Sequence, residues 1–425
     1  MADVDPAGSA RLARLGTVPR GSGATLAGIV VSGLSGFGAL ALATRGVEVG
    51  SRGALAAAWT LVFLVGPAVF FPLEQALAGR LLGSSAVAGR HVASVAGAWV
   101  AGLAVVAAVS APLYVDDLLD GRTGLLLAVV ASLAGYAAQH VLRAVLVARR
   151  SFGRYALVLG VDGLVRLVGC GVAYAAGARS PEPYAWVAGL APLVATAVCL
   201  PGLGRSAGGG AGGGRVGADV GRLVAASLCA NVVVGAGPAV LKLLSDDPAL
   251  VSSYLVTVSL TRIPLLLGQA LLAPLLAGLA GADDAAFRRT LRGAVLAVLA
   301  AGVVTTAAFA LLAPPLVPVL FGRDNDRLGA GPAAVLAACA VTFLVGQLLT
   351  QALVARGRAG AAAAGWAVSL AVAAVTLAVW PGSLGQVLGA TLVGCVGAAV
   401  LLAGYTRSRK SVTTVSDDAP PTPVR

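Results

Sequence analysis

The sequence predicts an all-α polytopic membrane protein of about twelve transmembrane helices, arranged as two six-helix bundles related by pseudo-twofold symmetry. Three observations predict it: the composition, a series of apolar runs of spanning length, and a Gly-rich segment that separates those runs into two equal sets. The 425 residues are 58% hydrophobic and 11% charged, with a mean hydropathy of +0.91. Soluble domains carry roughly 25% charged residues, so this chain cannot cover a water-facing surface. Crossing the hydrocarbon core takes about 20 apolar residues, and twelve runs meet that need.

Residues 1–23 read as a cytoplasmic N-terminal segment. It lacks the n-region, short apolar h-region and cleavage site of a signal peptide, so the run from Ala24 reads as a retained span. The first bundle, 24–201, holds runs at 24–44, 54–77, 92–113, 125–147, 156–178 and 184–201. Residues 202–222 form a Gly-rich cytoplasmic linker, expected to be flexible coil up to Arg222. The second bundle, 223–404, holds runs at 223–244, 251–279, 293–320, 332–354, 361–380 and 384–404. The tail, 405–425, is polar and Pro-rich and is expected to be disordered. Pro314, Pro315 and Pro318 predict a break or hinge at the end of the ninth run.

A faint internal repeat supports the division. VLVARRSFG (145–153) follows run four as ALVARGRAG (352–360) follows run ten, and EQALA (74–78) is matched by GQALL (268–272). Six spans per half make both halves enter the membrane in one direction, which gives parallel repeats about an axis along the membrane normal.

Orientation follows from the basic residues. Alternate connections hold Arg80, Arg90, Arg149, Arg150, Arg288, Arg289, Arg356 and Arg358, whereas the opposite loops hold only Arg45, Arg52, Arg122, Arg179, Arg323 and Arg327. Both termini are therefore expected in the cytoplasm, with the chain in the plasma membrane. The net charge of +12 is topogenic, because no basic stripe with interleaved aromatics marks a nucleic-acid partner. The five cysteines lie in apolar runs without a CxxC pair and read as small buried hydrophobes. With two histidines, His91 and His140, a multi-histidine metal site is excluded, and GGGAGGG lacks the Lys-Ser/Thr of a phosphate loop. No cofactor and no enzymatic constellation is expected.

Ionisable groups inside spans are costly and are candidates for function. Glu74 and Asp162 are the acids; Arg143 and Arg166 lie at similar depth, and Asp162 and Arg166 are spaced i, i+4. Their charges cancel. One reading is a neutral network that pins helices two, four and five; another is a gate or ion-coupling site in which Glu74 or Asp162 is protonated in one state and His140 titrates nearby; a third is snorkelling to the interface. Arg262, two residues before Pro264 in the eighth run, has no acid in any span of its own half, which predicts that it faces a central cavity or pairs with Glu74 or Asp162 across the halves. Asn231, Gln269, Gln347 and Gln351 could line the same cavity or bond to adjacent helices. Lys242 reads as a surface pair with Asp246, four residues on.

The second run, WTLVFLVGPAVFFPLEQALAGR (Trp59–Arg80), carries Pro67 and Pro72 and is expected to bend. Its core, GPAVFFPLEQALA, resembles the second helix of bacterial polysaccharide-export flippases, within the larger superfamily of multidrug/oligosaccharidyl-lipid/polysaccharide exporters. The resemblance implies a cationic cavity between the halves that binds a polyprenyl-(pyro)phosphate-linked sugar, with Arg262 as the main contact and Arg166 and Arg143 assisting. It also implies membrane lipid as a partner, and glycosyltransferases or a polymerase of the same pathway as neighbours. Many members have fourteen spans, and twelve are counted here. The rival readings are an ion-coupled drug or metabolite antiporter of the same fold, a membrane-embedded glycosyltransferase, and a transport-inactive scaffold for glycan synthesis.

Overall fold

A computed structural model describes residues 22–83, 115–201, 217–263 and 283–407, with a few positions between 97 and 105. The first half contains α1 (Ser22–Gly46), α2 (Arg52–Gly83), the short α3 (Val115–Leu119), α4 (Thr123–Ala148), α5 (Phe152–Ala175) and α6 (Glu182–Cys199). The second contains α7 (Gly217–Gly235), α8 (Gly237–Leu244), α9 (Pro248–Leu260), α10 (Asp284–Phe321), α11 (Ala330–Ala355), α12 (Ala359–Val379) and α13 (Ser383–Arg407). Among the described residues nine helices are long and apolar enough to cross a membrane, and the bent pair α7–α8 makes a tenth span. Most of the expected third span, 92–113, and the part of the eighth after Ile263 lie outside the described residues, as do most of the linker and the tail.

Several elements differ from expectation for local reasons. The seventh span is not one helix: it bends by 52° at Ala236. Pro238 has no N–H to offer the carbonyl of Val234, and Gly235 and Gly237 flank the break. The ninth span, by contrast, runs unbroken through Pro314, Pro315 and Pro318 as the 38-residue α10, so no hinge forms there. Asp283 starts that helix nine residues before the apolar run does, accepting from the N–H groups of Ala285 (2.9 Å) and Ala286 (2.7 Å). Helix α2 likewise continues through Pro67 and Pro72 as one element. The linker turns helical at Gly217, before the expected start of the second bundle.

The two halves repeat the same packing. In the first, α1 lies along α5, α4 along α6, and α5 along α6; in the second, α7 lies along α12, α11 along α13, and α12 along α13. Small residues allow the α1–α5 approach: a methyl on Gly163 would stand 2.7 Å from the Cα of Ser32. The repeat extends to a cap. After α4, Arg150 N donates to the Val147 carbonyl (2.9 Å) and Ser151 N to Leu146 (2.9 Å); after α11, Gly357 N donates to Val354 (2.9 Å) and Arg358 N to Leu353 (2.8 Å). Both are Schellman ends, with Arg150 and Gly357 in the left-handed region.

Helix α2 joins the halves. It packs against α4 on one side and against α7, α8 and α9 on the other. The largest apolar core is shared at one end of the molecule, where Leu40, Leu55 and Trp59 of the first half meet Leu241, Tyr254 and Phe321 of the second.

Candidate substrate site and buried polar network

Two groups of polar residues lie on either side of α2. The first is inside the first half. His140 Nδ1 lies 2.7 Å from Glu74 Oε2, and Arg143 Nη2 lies 3.2 Å from the same oxygen. The Tyr155 hydroxyl donates to Glu74 Oε1 at 3.3 Å and accepts from Arg143 Nη2 at 2.5 Å. Arg143 also stands over the Tyr155 ring, 4.9 Å from its centroid. Further along, Arg166 Nη2 donates to Asp162 Oδ1 at 2.8 Å and to the Tyr136 hydroxyl at 3.3 Å. The guanidinium of Arg166 lies 4.8 Å from the centre of the Phe63 ring on α2.

Helical spacing produces this arrangement. Tyr136, Gln139, His140 and Arg143 occupy one face of α4 at i, i+3, i+4 and i+7, and Asp162 and Arg166 occupy one face of α5. All are buried except for the slightly exposed Arg143. Each charge has an opposite charge beside it, so burial does not leave an isolated ion in a low dielectric. The side-chain Nε atoms of Arg143 and Arg166 and the Nε2 of Gln139 are buried with no partner among the described residues. In this conformation Arg143 and Arg166 are committed to Glu74 and Asp162 and are not presented to a substrate.

The second group is built round Arg262, two residues past the end of α9. Its guanidinium reaches the α7–α8 break: a methyl on Gly235 would stand 3.2 Å from Arg262 Nη2 and 3.2 Å from Leu64 Cδ1 of α2. Arg262 is half-buried and has no acidic partner among the described residues. Tyr136 is hydrogen-bonded to Arg166 at 3.3 Å and lies within electrostatic range of Arg262. The absence of a side chain on Gly66 makes this placement of Tyr136 feasible, since a methyl there would sit 2.2 Å from the Tyr136 ring.

The remaining candidates are less concentrated. Asn231 donates to the Ser227 carbonyl of its own helix at 2.8 Å. Gln347 and Gln351 are half-buried one turn apart on α11. Gln269 lies outside the described residues. Lys242 does not pair with Asp246; its Nζ lies 2.9 Å from Asp120 Oδ1 in the first half. The chain becomes extended at Ser245, which carries Asp246 off the face of α8 on which Lys242 sits. Sequence reasoning did not single out Tyr136, Gln139 or Tyr155. Their positions on the faces of His140, Arg143 and Asp162 were the available signal. Among the described residues no group of three metal-ligating side chains occurs.

No family model matches the chain, and no curated protein does. Solved structures do. A MATE transporter mutant of Vibrio cholerae is similar over 95% of this chain and 99% of its own, with a TM-score of 0.63 and 15% identity. A MOP-superfamily transporter of Pyrococcus furiosus, described by the reversed polarity of its binding pocket, is similar over 91% and 94%, with a TM-score of 0.63 and 12% identity. Inward-facing and outward-facing structures of a multidrug-resistance MATE transporter each give a TM-score of 0.59 at 14% identity, over 90% and 91% of this chain and 94% of theirs. With its α-helices paired as described, the chain is a multi-pass membrane protein with the twelve-helix, two-bundle fold of MATE transporters of the MOP superfamily.

Proposed function

We propose that the chain is a transporter that moves an anionic lipid-linked oligosaccharide across the plasma membrane, from inner to outer leaflet, by alternating access. The observation that carries this reading is Arg262: a cation between the halves, at a helix break, with no carboxylate beside it among the described residues. An organic-cation exporter gains nothing from an arginine there. A phosphate or pyrophosphate gains a planar fork that engages two of its oxygens. The similar transporter described by reversed pocket polarity fits the same reading. Half-buried Gln347 and Gln351 would offer hydrogen bonds to sugar hydroxyls, while the lipid tail remains in the bilayer. The excess of basic residues in alternate connections favours both termini in the cytoplasm, where glycosyltransferases of the pathway would deliver substrate.

Radiolabelled lipid-linked sugars in a deletion strain test this, assigned to a leaflet by an impermeant glycosidase. Accumulation on the inner leaflet, reversed by the wild-type gene and not by Arg262→Ala at equal protein level, is the expected result. An unchanged pool refutes it.

A second reading, an ion-coupled antiporter, is favoured by the buried His140–Glu74–Arg143 cluster, whose titratable members could exchange a proton for a substrate. It also accords with the multidrug-resistance transporters of similar structure. Dye efflux that stops when the proton gradient is collapsed distinguishes it.

A further inference from the structure

Polar contacts between the halves gather at one end of the molecule. Lys242, near the end of α8, meets Asp120 in the turn before α4 at 2.9 Å. Arg52, at the start of α2, meets Asp324 after α10 at 3.2 Å, and its Nε is held by the Val47 carbonyl at 3.1 Å. Arg45 donates to the carbonyl of Val319. Beneath these contacts lies the apolar core that both halves share. Towards the opposite end, Val220 and Val224 of α7 still pack against the first half, but two further apolar clusters each belong to one half. Leu142, Leu146 and Val158 pack in the first half, and Phe287, Leu353 and Trp366 in the second. The ion pairs of Glu74 and Arg356 there also stay within a half.

We propose that Lys242–Asp120 and Arg52–Asp324 form a releasable latch that holds the two halves together at this end and fixes their register. The polarity is crossed: the first half supplies Arg52 and Asp120, the second Asp324 and Lys242. A sliding displacement that brings Asp120 towards Asp324 sets like charges together and parts both pairs, so one register satisfies them. The acids are partly exposed, at 32% for Asp120 and 59% for Asp324. Water can therefore take over the acids' hydrogen bonds as the pairs separate, while the mostly buried Arg52 and Lys242 (7% and 17% exposed) draw each pair back together. The shared apolar core resists opening, and the ion pairs decide where closure ends. The latch rests on the alternating-access part of the reading above and on no particular substrate.

Spin labels at Asp117 and Asp246, both exposed and one on each half at this end, measure the separation in proteoliposomes by double electron–electron resonance. Lys242→Glu is expected to enlarge the long-distance population by about threefold, with Lys242→Gln giving a smaller rise. The swap Lys242→Glu with Asp120→Lys is expected to restore the wild-type distribution. A distribution indifferent to Lys242→Glu overturns the proposal, as does a swap that fails to restore it while the protein remains monodisperse. The readout needs no substrate, so it stands or falls separately from the glycan assignment.

Discussion

Arg150 and Gly357 occupy one backbone position in two copies of the same helix end, with φ angles of 54° and 68°. Glycine adopts that region freely, whereas an L side chain crowds its own carbonyl. The first half therefore carries a strain that its counterpart does not. Arg150→Gly should stabilise the protein by about 1 kcal/mol, and Gly357→Arg should cost a similar amount. Thermal unfolding in detergent checks both, and a destabilised Arg150→Gly would show that the exposed guanidinium contributes more than the backbone loses.

Removing one member of the buried network leaves the others uncompensated. Glu74 accepts from Arg143 and Tyr155 and contacts His140. Glu74→Gln keeps the shape and removes the charge, and should destabilise the fold by roughly 3 kcal/mol. The double variant Glu74→Gln with Arg143→Met should recover much of the loss, because neither charge then remains buried. A denaturant titration of all four proteins gives the coupling.

Gly66→Ala is a small change with a specific target. The added methyl meets the Tyr136 ring at 2.2 Å, and an overpacked site of this kind costs about 1–3 kcal/mol. Tyr136 must move, withdrawing its hydroxyl from Arg166. Transport should fall at unchanged expression, with Tyr136→Phe giving the milder defect. Equal transport by Gly66→Ala and wild type would show that the position of Tyr136 is immaterial.

At the opposite end of α10, Arg356 pairs with Asp284 at 2.7 Å and stands over Phe287, 4.1 Å from the ring centre. Both charged side chains are more than a third exposed. Arg356→Ala should therefore cost no more than about 1 kcal/mol, and Arg356→Lys should keep part of it. A thermal-shift comparison distinguishes this modest role from a structural one.

Much of the architecture was legible because lipid imposes it. Apolar runs of spanning length mark α1, α2, α4, α5 and α10 to α13, and the shared VAR motif marks the helix ends at Arg150 and Gly357. Helix direction alone grouped Glu74, Arg143, Asp162 and Arg166 at one depth. Hydropathy reports length and not direction, so the 52° bend at Ala236 was hidden within one continuous apolar run. Prolines misled at α10, where Pro314, Pro315 and Pro318 leave the helix unbroken. Tyr136 and Tyr155 are neutral and escaped a search for charge, although each contacts an arginine. The partner of Lys242 was illegible for a different reason: four-residue spacing suggested Asp246, and only the tertiary fold brings Asp120 across.

The placement of α2 between the halves has a consequence for how this sequence can change over evolutionary time. About 76% of its apolar window is buried inside the protein, against 6% for α10. A saturation library should therefore record two different kinds of membrane helix. Along α10 most positions should accept any residue that lipid accepts, and the helix should drift freely. Along α2 nearly every substitution must satisfy neighbours in two bodies at once, so that helix should change slowly and in concert with α4 and α7.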